Sequence, residues 1–218
     1  MPNSGTGRAD LGLAAWLELL AVTGLLLSYI WVWQGSFNGD FLLCLALFLA
    51  ITLTGHRRRG ETARDLGFRL DNLGPAARLV FSFVAPLILL MVVVGLGLGL
   101  NREPPIERLW TRIALMPLFG VAQQYGLLGF YYRRFQEALP GRWAPVLASA
   151  VVFAVLHAPN VPLVVMTLAV SIGACYLYRR APNLWVLGLA HGLLSITVAM
   201  FLAKLLVAGL KVGPRALR

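Results

Sequence analysis

Hydrophobic residues fall in long blocks at 13–33, 41–54, 79–100, 118–134, 143–157, 161–178 and from 183 past 200, with short polar stretches between them. A helix rises 1.5 Å per residue, so about 20 apolar residues cross the hydrocarbon of a bilayer. The pattern predicts an all-α fold, a polytopic membrane helix bundle of seven or eight spans. The count stays open at the last block, because 193–210 contains no clear break at which a seventh span would stop and an eighth return.

Between the blocks the polar residues carry the organisation. The first ten residues are polar, and no small-residue cleavage site follows the first block, which therefore reads as a retained span. It closes on Tyr29, Trp31 and Trp33, an aromatic cluster expected at an interface. Glu18, near its start, is expected to reach headgroup water, with burial against an arginine as the sharper alternative. After the second block come His56, Arg57, Arg58 and Arg59 and a polar segment to Arg78. His56 is expected to be an interfacial neighbour of these charges, and Leu66, Phe68, Leu70 and Leu73 an amphipathic element on the membrane surface. Gly95 and Gly99, in the third block, have the spacing that lets helices approach closely. A nucleotide-binding glycine loop needs a strand before it and a helix after it, and these glycines lie within a span. The loop 101–112, with Pro104 and Pro105, carries both signs of charge.

Composition agrees with the pattern: 59% of the 218 residues are apolar, and the mean hydropathy is +0.76. A net charge of +10 would suggest nucleic acid in a soluble chain. Here the arginines cluster between apolar blocks and act as topology signals. With the N-terminus inside, seven alternating spans place Arg57 to Arg59, Arg133, Arg134, Arg142, Arg179 and Arg180 on one side, the expected cytoplasmic side. Lys204, Lys211, Arg215 and Arg218 then fall outside, which is the weak point of that topology. Cys44 and Cys175 lie in apolar blocks and are expected to be packing residues.

Three blocks carry polar side chains to membrane depth: Gln123 and Gln124 in the fourth, His157 at the end of the fifth and His191 in the seventh. In hydrocarbon such groups must find partners inside the protein or line a water-filled cavity. Spacing of i to i+4 puts Phe153 on one face with His157, and His191 on one face with Ser195. The two glutamines are about 100° apart, so at most one points straight at the bundle axis. A neutral imidazole can act as a general base on water, and amides and hydroxyls can donate to a developing oxyanion. The group thus has the parts of a hydrolytic centre; a polar network that only locks helix packing is the plainer alternative. Zinc is poorly supported, since two histidines need a third ligand and the fourth to seventh spans contain no carboxylate. No other cofactor is firmly implied.

At these residues the chain resembles the CPBP family, the CAAX proteases and bacteriocin-processing enzymes also called the Abi family. The family pattern is E-E-x-x-x-R on one span, F-x-x-x-H on the next and H-x-x-x-N or D on a later one. Phe153 and His157 match the second motif; His191 matches the third, with Ser195 in the place of its Asn or Asp, inside the family-like stretch PNLWVLGLAHGLLS. The first motif is degenerate: Gln123 and Gln124 stand in place of the two glutamates and Leu128 in place of the arginine, with only Gly129 just after it matching. Loss of the arginine fits loss of the acids, because a buried arginine without carboxylates would be an unpaired charge.

The resemblance implies a family-like core at 111–203, preceded by three spans and a basic cytoplasmic loop at 1–110 and followed by a basic tail at 204–218. It implies glutamates that activate water, histidines that assist and an oxyanion donor at the position of Ser195. A glutamine can orient water but cannot take its proton. The expected function is accordingly an intramembrane endopeptidase of CAAX-protease type acting on a membrane-associated protein or peptide. The alternative is a catalytically inactive member, a pseudoenzyme that binds a peptide or partner protein in the membrane. A small transporter ranks lowest, as no intramembrane acid or inverted repeat is visible in the later spans. The expected partners are the lipid bilayer and that substrate, with no nucleic acid, and the expected location is the cell (inner) membrane.

Overall fold

The computed structural model describes residues 6–102, 106–206 and 208–217, with side chains except at 6–10, 106–110 and 112. Pro104, Pro105 and Arg218 lie outside the described residues. Among these residues the α-helices are α1 (Thr6–Ser28), α2 (Asp40–Arg58), α3 (Leu73–Gly97), α4 (Ile106–Gln124), α5 (Arg133–Ala138), α6 (Ala144–Val155), α7 (Val161–Arg180) and α8 (Leu184–Phe201). A π-helical turn, Tyr29–Trp33, extends α1, and a second, Tyr125–Tyr132, joins α4 to α5 with helical backbone throughout, so that these form one long rod. Six helices or rods are long and apolar enough to cross a membrane, and α6, at 144–155, is a shorter apolar seventh. The chain is a multi-pass membrane protein.

Its surface follows from that solvent. Leu17, Leu20, Leu42, Leu89, Leu90 and Val165 are more than half exposed on the outer faces, where lipid covers them. The interior holds a continuous cluster that includes Val80, Leu128, Val146, Cys175 and Leu187. Cys44 and Cys175 are both buried and free.

An eighth span does not form among the described residues. After Phe201 the chain turns, Lys204 donating its backbone N–H to Leu100 O at 3.0 Å and its Nζ to Gly99 O at 2.6 Å. The tail ends in a 3₁₀ turn, Gly213–Leu217. Pairing with the chain that leaves α3 supplies the break for which the sequence has no signal.

Close helix approach occurs at Gly95, where an added Cβ would overlap Phe201 O. Gly99 plays a different part: a Cβ there would meet nothing within 4 Å, and its φ of +63° ends the turn after α3. The tightest crossing joins α4 to α8. A Cβ on Gly120 would overlap Gly188 O, and one on Gly192 would meet Met116 O and Pro117 at 2.8 Å. Backbone touches backbone there, which fixes the register between the helices of Gln124 and His191.

Two expectations on the arginine-rich end need correction. Leu66, Phe68, Leu70 and Leu73 do not form one amphipathic element: Leu73 begins α3, and 61–72 is a series of turns folded onto the bundle, with Leu66 buried, Phe68 packed on the core and Leu70 exposed. Its backbone is held from the bundle side: Tyr178 donates its hydroxyl to Leu66 O at 2.9 Å, and Leu184 its N–H to Gly67 O at 2.8 Å. Asn183 adds a side-chain bond to Arg69 O at 2.8 Å while capping α8 through Val186 N–H.

Glu18 is the second correction, since it pairs with arginines, as the sharper alternative had it, and does not reach headgroup water; His56 is a neighbour of the same charges, buried among them. Glu18 pairs at 2.8 Å with Arg59 and with Arg134, whose side chain is 0% exposed. Arg134 also binds Glu61 at 2.6 Å and Glu137 at 2.8 Å, and Arg59 binds Glu137 at 2.8 Å. His56 Nδ1 lies 2.7 Å from Glu61 Oε2 and 2.9 Å from Arg134 Nη2. Gly55 makes room, since a Cβ there would stand 2.6 Å from the Glu18 carboxylate. A fully buried guanidinium needs this many carboxylates, as an unpaired one would cost several kcal/mol.

Candidate active site

The polar side chains of three helices converge. Gln123 from α4, Phe153 from α6, His157 from the turn after it, and His191 and Ser195 from α8 line one cavity of about 900 Å³. Phe153 packs against both imidazoles, its ring 5.0 Å from that of His157 and 6.4 Å from that of His191. The i to i+4 spacings thus bring the second and third motifs to a common wall.

Gln124 lies behind that wall, 2% exposed, and donates its amide Nε2–H to His191 Nδ1 at 3.0 Å. With the amide in this orientation its nitrogen donates, which makes Nδ1 of His191 the acceptor and assigns the ring proton to Nε2; the amide turned over would accept from an Nδ1–H instead. His157 has the opposite arrangement. Its Nδ1 is 2.7 Å from Phe153 O, a carbonyl that only accepts, so the proton is on Nδ1 and Nε2 carries the lone pair. One imidazole of the cavity is a free base, and the other is a donor.

The π turn begins directly after Gln124. Such a turn takes in an extra residue and shifts the register of the helix beyond it, and it recurs at functional sites. Leu128 is 0% exposed in the apolar core, away from the cavity lining. Gly129 leaves space for the Tyr125 ring, 2.8 Å from where a Cβ would be, and Tyr125 donates its hydroxyl to Thr52 at 2.9 Å. Both residues act on the packing behind the site. Gln124 Oε1 is buried with no hydrogen-bond partner among the described residues.

No carboxylate lines the cavity among the described residues, and no trio of His, Cys, Asp or Glu stands together there for a metal. Its wall is mostly apolar, with Met116, Phe119, Leu163, Met166 and Leu194 among its members.

Other lining residues carry no motif in the sequence. Gln34, from the turn after α1, and Lys211, Val212 and Arg215, from the tail, close the end nearest His157. The tail is held there by Gly213 N–H to Ala158 O at 2.8 Å and by Asn160 Nδ2 to Gly209 O at 2.9 Å. Turn residues have no periodicity, and the sequence carries no signal for this contact.

No curated protein and no solved structure matches the chain. A family profile does: that of the type II CAAX prenyl endopeptidases, Rce1-like, matches residues 82–197. The matched segment is more than half of the chain and contains both glutamines, both histidines, Phe153 and Ser195. On that match and the motifs it covers, the chain belongs to the Rce1-like family of type II CAAX prenyl endopeptidases.

Proposed function

We propose that the protein is an intramembrane endopeptidase of CAAX-protease type, which cleaves a membrane-associated protein or peptide within this cavity. The observation that carries this is the convergence of His157, His191, Ser195 and Gln123 on one cavity. His157 Nε2 takes a proton from water, and the hydroxide attacks the scissile carbonyl. The oxyanion that develops accepts hydrogen bonds from His191 Nε2–H and from Ser195 or the Gln123 amide. The protonated His157 then gives its proton to the departing amine, which balances the step. Gln124 never meets the substrate; it holds His191 as a donor.

The apolar wall suits a substrate that arrives from the bilayer. At the opposite end of the bundle Arg57, Arg58, Arg142, Arg179 and Arg180 have no carboxylate at ion-pair distance among the described residues. Such unpaired positive charge supports a cytoplasmic position for that end, and so for the start of α1, in the cell membrane.

The absence of a carboxylate from the lining favours a second reading, a non-catalytic member that binds a peptide or partner protein in the same cavity. Purified protein in detergent, given a panel of membrane-anchored peptides, separates the two. Cleavage that His157→Ala abolishes and Ser195→Ala reduces is expected. Peptide binding without turnover in the wild type would favour the non-catalytic reading.

A further inference from the structure

At the arginine-rich end the fold gathers Arg142, from the turn before α6, with Arg179 and Arg180, from the last turn of α7. Arg179 donates its Nη1–H to Arg142 O at 3.0 Å, which ties the two elements together. The guanidinium of Arg142 stands 5.2 Å from the centre of the Trp143 ring, and that of Arg180 stands 4.5 Å from the centre of the Tyr176 ring. A ring face seats a guanidinium and leaves its N–H edge free to donate. All three arginines are exposed.

Like charges brought together repel, so the patch calls for an anion. Among the described residues none of the three has a carboxylate at ion-pair distance. The acids described at that end are committed elsewhere. Glu18 and Glu137 bind Arg59 and Arg134, and Glu61 binds Arg133 and Arg134. Asp71 binds Arg64 and Arg69, and Asp65 accepts from Thr62. The anion therefore comes from outside the described chain.

The surface below the patch says which kind. Trp143, Leu147, Val151 and Val155 recur every fourth residue and are each about half exposed, so an apolar stripe descends α6 from the ring that seats Arg142. Val165 and Ala169 are exposed on the face of α7 that carries Tyr176 and Arg180. Trp and Tyr rings of this kind mark headgroup depth. An acidic peptide or a free phosphate would meet the charges and leave the stripe to other lipid. A phospholipid with a negative headgroup meets both together.

We propose that Arg142, Arg179 and Arg180, two of them seated on Trp143 and Tyr176, form a binding site for the phosphate of an anionic phospholipid whose acyl chains lie along α6 and α7. Guanidinium forks match phosphate oxygens in pairs, which gives the site its geometry as well as its charge. Arg57 and Arg58, on α2, are also without a carboxylate but have no aromatic seat among the described residues. None of the residues of the site lines the cavity, so the site is independent of the endopeptidase reading.

The test is native mass spectrometry of the full-length protein in detergent, given dioleoyl phosphatidylglycerol and dioleoyl phosphatidylcholine at equal concentration. The wild type is expected to hold the phosphatidylglycerol about tenfold more tightly. Arg142→Gln with Arg179→Gln and Arg180→Gln is expected to hold the two lipids equally. Arg180→Gln alone leaves the Arg179 hydrogen bond in place and is expected to lower the preference about twofold, which keeps the test open if the triple variant does not fold. Arg57→Gln with Arg58→Gln is the control for general positive charge and is expected to keep the preference. Equal binding by the wild type, or a preference untouched by the triple or the Arg180 substitution, would overturn the proposal, as would a preference that the Arg57 and Arg58 pair also removes. So would release of the phosphatidylglycerol by an equal concentration of glycerol 3-phosphate, which would mark a plain phosphate site. Release by hexaglutamate would overturn it too, and would mark a surface for an acidic protein segment.

Discussion

At the scale of single residues, the decisive feature is an amide where the family pattern has a carboxylate. A carboxylate beside His191 Nδ1 would accept its proton and leave Nε2 as a base; Gln124 donates instead, and the tautomer is reversed. Nitrogen-15 NMR of the imidazoles at neutral pH is expected to show the proton on Nε2 of His191 and on Nδ1 of His157. Gln124→Glu is expected to move the His191 proton to Nδ1 and leave His157 as it was; an unmoved proton would contradict the assignment. Gln124→Leu removes the donor and leaves a buried ring nitrogen unpaired, at a cost of about 1–3 kcal/mol in denaturation experiments. His157, His191, Phe153 and Ser195 could be picked out of the sequence because polar groups at membrane depth and i to i+4 spacing depend on one helix at a time. Which ring nitrogen holds the proton could not, since it depends on Gln124 across a helix interface and on the carbonyl of Phe153. Glu18 shows the same limit: its position in a span was plain, but its arginines lie 41 and 116 positions away.

At the scale of elements, the site depends on how closely α4 and α8 can cross. A Cβ on Gly188 would overlap Val121 Cγ2 and lie 2.5 Å from Val121 Cα, so Gly188→Ala must push the helices apart. That substitution is expected to lower stability by roughly 1–3 kcal/mol and to weaken the Gln124 to His191 bond with it. Gly97→Ala is the control, with nothing within 4 Å, and is expected to change stability by less than about 0.5 kcal/mol. Thermal unfolding of both variants in detergent checks the pair; equal losses would show that the crossing is looser than described. Span positions were legible because apolar length needs no partner. The halt of α8 at Phe201 and the inward fold of 61–72 were not, because each is set by bonds to distant backbone, at Leu100 and Leu184.

At the scale of the whole molecule, one end is locked by buried charge and the other holds the cavity under the tail. Burial alone would raise the pKa of Glu61, but hydrogen bonds from His56, Arg134 and Arg133 outweigh it and hold the carboxyl well below the ordinary range. A depressed folded pKa gives stability that is complete above the unfolded value of about 4.3 and is lost as pH falls toward the folded one. Unfolding midpoints are therefore expected to be level from neutral pH to about 5 and to fall below about 4.3, with a shallower fall in Glu61→Gln. Arg134→Met takes the shared cation from three carboxylates, leaving Glu18 and Glu137 to Arg59 and Glu61 to Arg133, and is expected to cost about 3 kcal/mol. The central claim is that, with amides in the place of the paired acids, a histidine does the base's work. It is tested most directly by cleavage of membrane-anchored peptides by purified wild type, His157→Ala and the triple substitution Gln123→Glu, Gln124→Glu, Leu128→Arg in one assay. The account predicts turnover by the wild type and none by His157→Ala. A silent wild type beside an active triple variant would contradict it, and would make the protein a scaffold whose chemistry left with its carboxylates.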